Sequence, residues 1–441
     1  MSIELPLEKK LGRSFGISDV IYPKAIDATD KNKFLVMIFY SMLLLLSSLL
    51  FNTPSEIIFG MGEIVVSPSI LVSDYFVIAN LGAAFFNCGL LMLISITLAK
   101  MNNINMNGTL IAAILTVGGF SFFGKNIYNI WPIFLGVYLY ARAQDEDYGK
   151  FILVALFGTA LGPLISQVSF GFGFSNIVGV ILGLCLGIAA GFILPPLANH
   201  FVKFHQGFNI YNIGFTAGMV GSLFMAGLRG FELETPQTLF VAEGYNTSLG
   251  IYLSILFISM IVVGFLFNNL SLRGYRGIIK HSGRLVADFV NLEGFGISFI
   301  NMGLLGLVST GYIILVGGEI NGPIIGGIFT IVGFGAFGKH TKNIIPILIG
   351  VYLSTFIFTW DPSSTGALLA ALFGTTLAPI AGEFGYKSGI LAGFLHMAMV
   401  MNVGYLHGGI NLYNNGFAGG LVAAILVPIL IAFKNNSSRA I

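Results

Sequence analysis

Apolar runs separated by short polar breaks fill almost the whole chain. They occupy residues 34–51, 75–99, 107–123, 128–141, 151–166, 175–197, 208–227 and 248–269, then lie near 286–316, 322–337, 344–358, 366–381, 389–406 and 409–432. A helix rises about 1.5 Å per residue, so about 20 apolar residues cross a hydrocarbon core about 30 Å thick. The runs therefore predict membrane-spanning helices and an all-α polytopic membrane protein. Runs 107–123 and 128–141 are short for that task, since fourteen helical residues reach only about 21 Å. The break between them carries Gly124, Lys125 and Asn129.

That break occurs twice. Gly119-Phe-Ser-Phe-Phe-Gly-Lys125, with Asn129, Pro132 and Gly136-Val-Tyr-Leu139, returns as Gly333-Phe-Gly-Ala-Phe-Gly-Lys339, with Asn343, Pro346 and Gly350-Val-Tyr-Leu353. Upstream, Asp74, Asn87 and Gly89-Leu-Leu91 return at the same offset as Asp288, Asn301 and Gly303-Leu-Leu305. Downstream, Ala155-Leu-Phe-Gly-Thr159 with Pro163 becomes Ala371-Leu-Phe-Gly-Thr375 with Pro379, and Gly207-x-Asn-x-Tyr-Asn-x-Gly-Phe215 becomes Gly409-x-Asn-x-Tyr-Asn-x-Gly-Phe417. Ordered Asp, Asn, Lys, Pro and Tyr matches mark a duplicated unit rather than low complexity. The expected organisation is a tail over 1–33, a first transmembrane helix over 34–51, repeat 1 over 71–227, a linking transmembrane helix over 248–269, repeat 2 over 285–427 and a tail over 433–441.

Charge gives the orientation, because basic loops stay cytoplasmic. With the N-terminus inside and every run crossing, Lys100, Arg142, Lys150, Lys203 and the Arg273–Arg284 cluster fall inside. The loop 52–70, which has no Lys or Arg, and the acidic loop 229–247 fall outside, and the C-terminus returns inside. An odd number of segments separates equivalent points, so the two repeats are expected to be inverted. Lys125 then faces outward, against the charge rule. A re-entrant hairpin of the two short runs removes the conflict without disturbing the inversion. Broken helices at membrane depth need protein or a cavity around their free backbone groups, and paired interruptions point to a transport site.

Composition supports the membrane reading: 56% of residues are hydrophobic and 9% charged, with a mean hydropathy of +0.89. The net charge of +2, spread over short loops, gives no footprint for nucleic acid. Cys88 and Cys185 fall in apolar runs and indicate no disulfide framework. Residues 1–33 lack a signal peptide's basic region and cleavage site, so they are read as a retained cytoplasmic tail with an amphipathic stretch. The expected location is a bacterial cytoplasmic (inner) membrane with both termini cytoplasmic.

The duplicated polar residues are the candidate chemistry. Lys125 and Lys339, with Asn129 and Asn343, sit at helix breaks where a helix N-terminus and an ammonium favour an anion or a carboxylate. The alternative is that both lysines end short helices and snorkel to headgroups. Asn209, Tyr211 and Asn212 return as Asn411, Tyr413 and Asn414; at i, i+3 the asparagines share a helix face, either lining a solute path or capping a helix start. Asn87 and Asn301, deep in apolar runs, either line the path or join helices. Thr159 and Thr375 mark second breaks, and Asp74 and Asp288 read as helix caps. His200 and His205 have no partner motif, and His396 and His407 read as present in the second copy only. No phosphate loop, dinucleotide fingerprint or His-Glu-x-x-His motif is seen, so neither an enzyme nor a cofactor or metal is expected.

Nearly end to end, the chain resembles an uncharacterised family of bacterial multi-pass membrane proteins, through its two Gly-x-Asn-x-Tyr-Asn-x-Gly-Phe segments and two Phe-Gly-Lys breaks. A second likeness, to urea channels, rests on Tyr211-Asn212-Ile213-Gly214 and Tyr413-Asn414-Asn415-Gly416; it implies inverted repeats and a homo-oligomer, dimer or trimer. The function expected is transport of a small polar, anionic or zwitterionic solute by alternating access. The alternatives are a passive channel for a small neutral solute or ion, and a non-transporting structural or regulatory protein. Membrane lipid and the solute are the expected partners, and nucleic acid is not.

Overall fold

The structure, a computed structural model, describes residues 28–235 and 239–439. Its first half runs α1 (Asp30–Ser47), α2 (Pro54–Val66), the single turn α3 (Tyr75–Ile78), α4 (Leu81–Met101), α5 (Gly108–Phe120), α6 (Trp131–Ala143), α7 (Ile152–Gly158), α8 (Gly162–Phe170), α9 (Asn176–Phe201) and α10 (Asn212–Arg229). The second half runs α11 (Asn246–Phe267), the single turns α12 (Tyr275–Ile278) and α13 (Phe289–Leu292), α14 (Phe295–Leu315), α15 (Gly322–Phe334), α16 (Thr341–Thr355), α17 (Thr365–Gly374), α18 (Ala378–Phe384), α19 (Tyr386–Val403) and α20 (Asn414–Arg439). Among the described residues, nine helical stretches are long and apolar enough to cross a membrane, while α5 and α15, 13 residues each, are shorter apolar helices.

Local chemistry moves several expected boundaries. The loop expected over 52–70 contains α2, because Thr53-Pro54-Ser55-Glu56 is a helix start: Glu56 accepts the Thr53 N–H at 2.8 Å and Pro54 occupies the first turn. The same N–H and the Thr53 hydroxyl hold the Glu56 carboxyl below its ordinary value. Asn80 caps α4 through Ala83 N at 2.8 Å, splitting the run from 75 into α3 and α4. The run near 286–316 likewise divides into α13 and α14. The helix α1 begins at Asp30 inside the expected tail, and α20 continues to Arg439, so the tail expected from 433 starts within a helix. The amphipathic stretch expected before residue 28 lies outside the described residues.

The centre is built by exchange between the halves. Asp74 caps α3 through Phe76 N at 2.9 Å and also accepts Gly322 N, the first residue of α15, at 3.3 Å and Ala242 N at 2.9 Å. Reciprocally, Asp288 accepts Asn291 N at 3.0 Å and receives Gly108 N, the first residue of α5, on both carboxylate oxygens at 3.1 and 3.0 Å. Each aspartate is thus a cap, as expected, but for the opposite half's short helix as well as its own turn. The helices α5 and α15 cross so closely that a Cβ on Gly119 would lie 2.8 Å from Gly326 O, and one on Gly326 would lie 2.8 Å from Gly119 O. Because backbone atoms cannot rotate away, Gly119→Ala is expected to cost about 1–3 kcal/mol through overpacking. Gly62→Ala, with nothing within 4 Å of the new Cβ, is the control. Thermal unfolding in detergent checks this, and equal melting temperatures for Gly119→Ala and wild type would refute the tight crossing.

Candidate functional site

Each short helix ends at its break by the same device. Gly124 (φ +76°) and Gly338 (φ +89°) occupy the left-handed region, where glycine carries no Cβ penalty. The turn lets Lys125 N reach Phe120 O at 3.2 Å and Lys339 N reach Phe334 O at 3.0 Å. Asn87 then donates to Ser121 O and Lys125 O at 2.8 and 2.9 Å, and Asn301 to Gly335 O and Lys339 O at 2.8 Å each. Asn129 donates to Gly124 O and Ser166 Oγ, both at 2.9 Å, and accepts Asn126 N at 3.0 Å. Asn343 donates to Gly338 O and accepts His340 N, both at 2.9 Å. These four amides hold the broken backbone within their own halves. The N–H of Asn129, at the helix start expected to face an anion, is instead taken by Asn126 Oδ1 at 3.1 Å, which also accepts Tyr128 N at 3.0 Å.

The duplicated Asn-x-Tyr-Asn segments cross between halves. Ile210 N donates to Thr376 O and Tyr211 N to Thr376 Oγ1, both at 3.1 Å, while Leu412 N donates to Ala160 O at 3.0 Å. Thr159 and Thr375 begin 3-10 turns that precede Pro163 and Pro379, so each segment docks on the other half's second break. This docking keeps residues 208–211 out of a helix, and Asn209 and Asn212 do not share a helix face as expected. Asn209 accepts the Thr376 hydroxyl and donates to Gly416 O at 2.9 Å. Asn212 and Asn414 turn to His205 and His407, at 3.0 and 2.9 Å from Nε2. The two histidines are therefore duplicates, contrary to expectation. Both stand two residues before the repeated glycine, giving His-x-Gly-x-Asn-x-Tyr-Asn, and extending the motif alignment by two positions would have found them. His396, in α19, bonds Asn415 at 2.9 Å.

The exchange brings six rings together. Tyr211 and Tyr413 lie 5.3 Å apart between centroids, Phe120 stands 4.7 Å from Tyr413, and Phe334 stands 4.7 Å from Tyr211. Phe157 and Phe373 close the cluster, at 5.8 Å from Phe334 and 5.6 Å from Phe120. Both lysines end on it with 0% exposure. Lys339 Nζ lies 4.4 Å from the Tyr211 ring centre, donates to the Tyr211 hydroxyl, and donates to Thr375 Oγ1 at 2.6 Å. Lys125 Nζ lies 5.2 Å from the Phe120 ring centre and has no hydrogen-bond partner. Among the described residues no Asp or Glu pairs with either lysine; the ion pairs Lys150–Glu146, His281–Glu293 and Lys434–Glu383 involve other residues. Of the sequence candidates, Lys125, Lys339, Tyr211, Tyr413 and Thr375 meet here. Asn87, Asn129, Asn301 and Asn343 support the breaks from behind, and Asn209, Asn212, Asn411 and Asn414 hold the crossing segments. The Thr159 hydroxyl donates to Leu156 O at 2.6 Å. Among the described residues no group of three His, Cys, Asp or Glu is placed to hold a metal ion.

Apolar spans packed around a buried polar centre define an all-α, multi-spanning membrane protein. The family described as "Protein of unknown function (DUF1576)" matches residues 53–229 and 267–432, one stretch in each half, and the chain belongs to that family. No curated protein and no solved structure matches the chain, so the likeness to urea channels gains no support there.

The two lysines predict opposite stability effects. Lys339→Met strands the Tyr211 hydroxyl and removes a donor from Thr375, a loss of about 1–3 kcal/mol. Lys125→Met removes a buried polar group that has no partner and keeps its apolar stem, so it relieves a desolvation cost. In ligand-free detergent, Lys339→Met should melt below wild type and Lys125→Met at or above it. The reverse order would contradict the asymmetry.

Proposed function

We propose that this membrane protein is a secondary transporter of a small anionic or zwitterionic solute, working by alternating access between two inverted repeats. The observation that carries this reading is the meeting of two fully buried lysines, each from a duplicated helix break, on one aromatic cluster without a carboxylate partner. Buried cations require compensation, and a solute carboxylate supplies it. Zero exposure of both lysines favours an occluded site over a permanently open filter. No enzyme chemistry is assigned to these residues.

The repeats are taken to extend one helix further than the sequence suggested, over 30–229 and 246–439. In support, α1 packs on α4 and α11 on α14 through matching glycines: a Cβ on Gly89 would meet Ser41 O at 2.6 Å, and one on Gly303 would meet Phe257 O at 2.6 Å. At about 20 Å long, α5 forms a re-entrant hairpin with α6, and α15 does so with α16. Each half then crosses five times, through α1, α4, α7–α8, α9 and α10 or their counterparts. An odd number inverts the second half and returns both termini to one side, the cytoplasmic side of a bacterial inner membrane by the charge rule.

Two experiments test this. Cysteines at the exposed positions Asp145 and Thr359, equivalent ends of the two hairpins, should label from opposite faces of intact cells; labelling from one face would overturn the inversion. In proteoliposomes, an imposed proton or sodium gradient should drive uphill uptake of a small carboxylate or amino acid, with Lys125→Met/Lys339→Met reducing the rate at least about tenfold. Flux that only follows the solute's own gradient, for urea above all, would assign a channel instead.

A further inference from the structure

The duplicated centre is not symmetric. At the second half's break the ammonium of Lys339 is held by Tyr211, from the first half, and by Thr375, and Asn209 is satisfied at both ends of its amide. At the first half's break the equivalent lysine, tyrosine and asparagine, Lys125, Tyr413 and Asn411, are not held in this way. Among the described residues, Lys125 Nζ and Asn411 Nδ2 are buried with no hydrogen-bond partner, and the buried Tyr413 hydroxyl and Thr116 Oγ1 have none but each other. Three of them are grouped around Phe120. Thr116 lies one helical turn before Phe120 on α5, so both face the same way. Lys125 Nζ lies 5.2 Å from the Phe120 ring centre, Tyr413 packs edge-on against Phe120 at 4.7 Å, and the Tyr413 hydroxyl lies beside Thr116.

The sequence contributes to this asymmetry. Thr376 gives its hydroxyl to Asn209 and accepts Tyr211 N, whereas the matching residue on the other side is Ala160, which has no hydroxyl to give Asn411. On that side Asn411 Oδ1 accepts Tyr413 N at 3.0 Å instead, and its Nδ2 stays open.

We infer that Lys125, Tyr413 and Thr116 form a binding site for the carboxylate of a small monoanion, whereas the duplicate lysine and tyrosine, Lys339 and Tyr211, are closed upon each other and upon Thr375. All three open groups donate hydrogen bonds, and a carboxylate offers two oxygens to accept them. Among the described residues no carboxylate pairs with Lys125, so this site favours the plain anion over the zwitterion of the two solutes proposed above. The uncharged end of the solute rests on the aromatic rings. The inference rests on the transport reading for its purpose but not for its test, which is binding to purified protein.

Acetate is the probe, with glycine, urea and chloride for comparison, read by calorimetry and thermal shift in detergent. Acetate should bind wild type. Each of Lys125→Met and Tyr413→Phe should weaken it at least about tenfold, as loss of a hydrogen bond to a charged group does, with Thr116→Val weakening it less. Lys339→Met and Tyr211→Phe should change it by less than about threefold. Equal losses at both lysines, binding of glycine, urea or chloride but not acetate, or no acetate binding to folded wild type would each overturn the site. Lys125-dependent acetate binding without proteoliposome uptake would sustain the site and overturn transport. Gradient-driven glycine uptake, equally sensitive to both lysines, would do the reverse.

Discussion

Free backbone groups at two helix breaks govern the interior of this protein. Hydrocarbon offers them no water, so every N–H and C=O released at Gly124 and Gly338 needs a partner within the chain. Own-half asparagines supply part of the answer: Asn87 and Asn301 take the carbonyls of the turns, and Asn129 and Asn343 tie them from the other side. The remainder comes from the opposite half. Asp288 holds the start of α5, Asp74 the start of α15, and residues 210 and 412 pair with the facing 3-10 turns. Neither half of the centre is complete without the other. The close glycine crossing of α5 and α15 follows, since backbones so tied cannot stand apart.

This constraint explains what the amino-acid pattern made legible. Membrane spans, both breaks and the duplicated polar residues stand out because they obey rules of composition, length and offset. The capping role of Asp74 and Asp288 was readable for the same reason, an acid just before a helix start. Their second partners were not, because a contact between residues 74 and 322 leaves no local trace. Nor was the unwound state of Asn209: the i, i+3 spacing favours a helix face, but docking on Thr376 removes the helix there. The start of α2 is legible at Thr53–Glu56, where the capping residues precede an apolar stretch too short to stand out as a span. Only the histidine pair was missed by alignment alone.

A duplicated sequence need not give two equal sites. Lys125 and Lys339 both follow Phe-Gly, are equally buried, and lie near the equivalent rings of Phe120 and Phe334, yet one ammonium is satisfied and the other, among the described residues, is not. The satisfied one shows that hydroxyls and an aromatic face suffice to hold a lysine in this interior. The chain repeats the same groups as Tyr413 and Thr159, and Lys125 bonds neither. Leaving a donor unpaired costs more than most single contacts contribute. In the reading proposed above, a bound solute supplies the missing acceptor. The chemistry of that acceptor follows from what surrounds it. Cationic and hydroxyl donors converge there, apolar rings fill the rest, and the nearest answer in kind is an anion small enough to be enclosed.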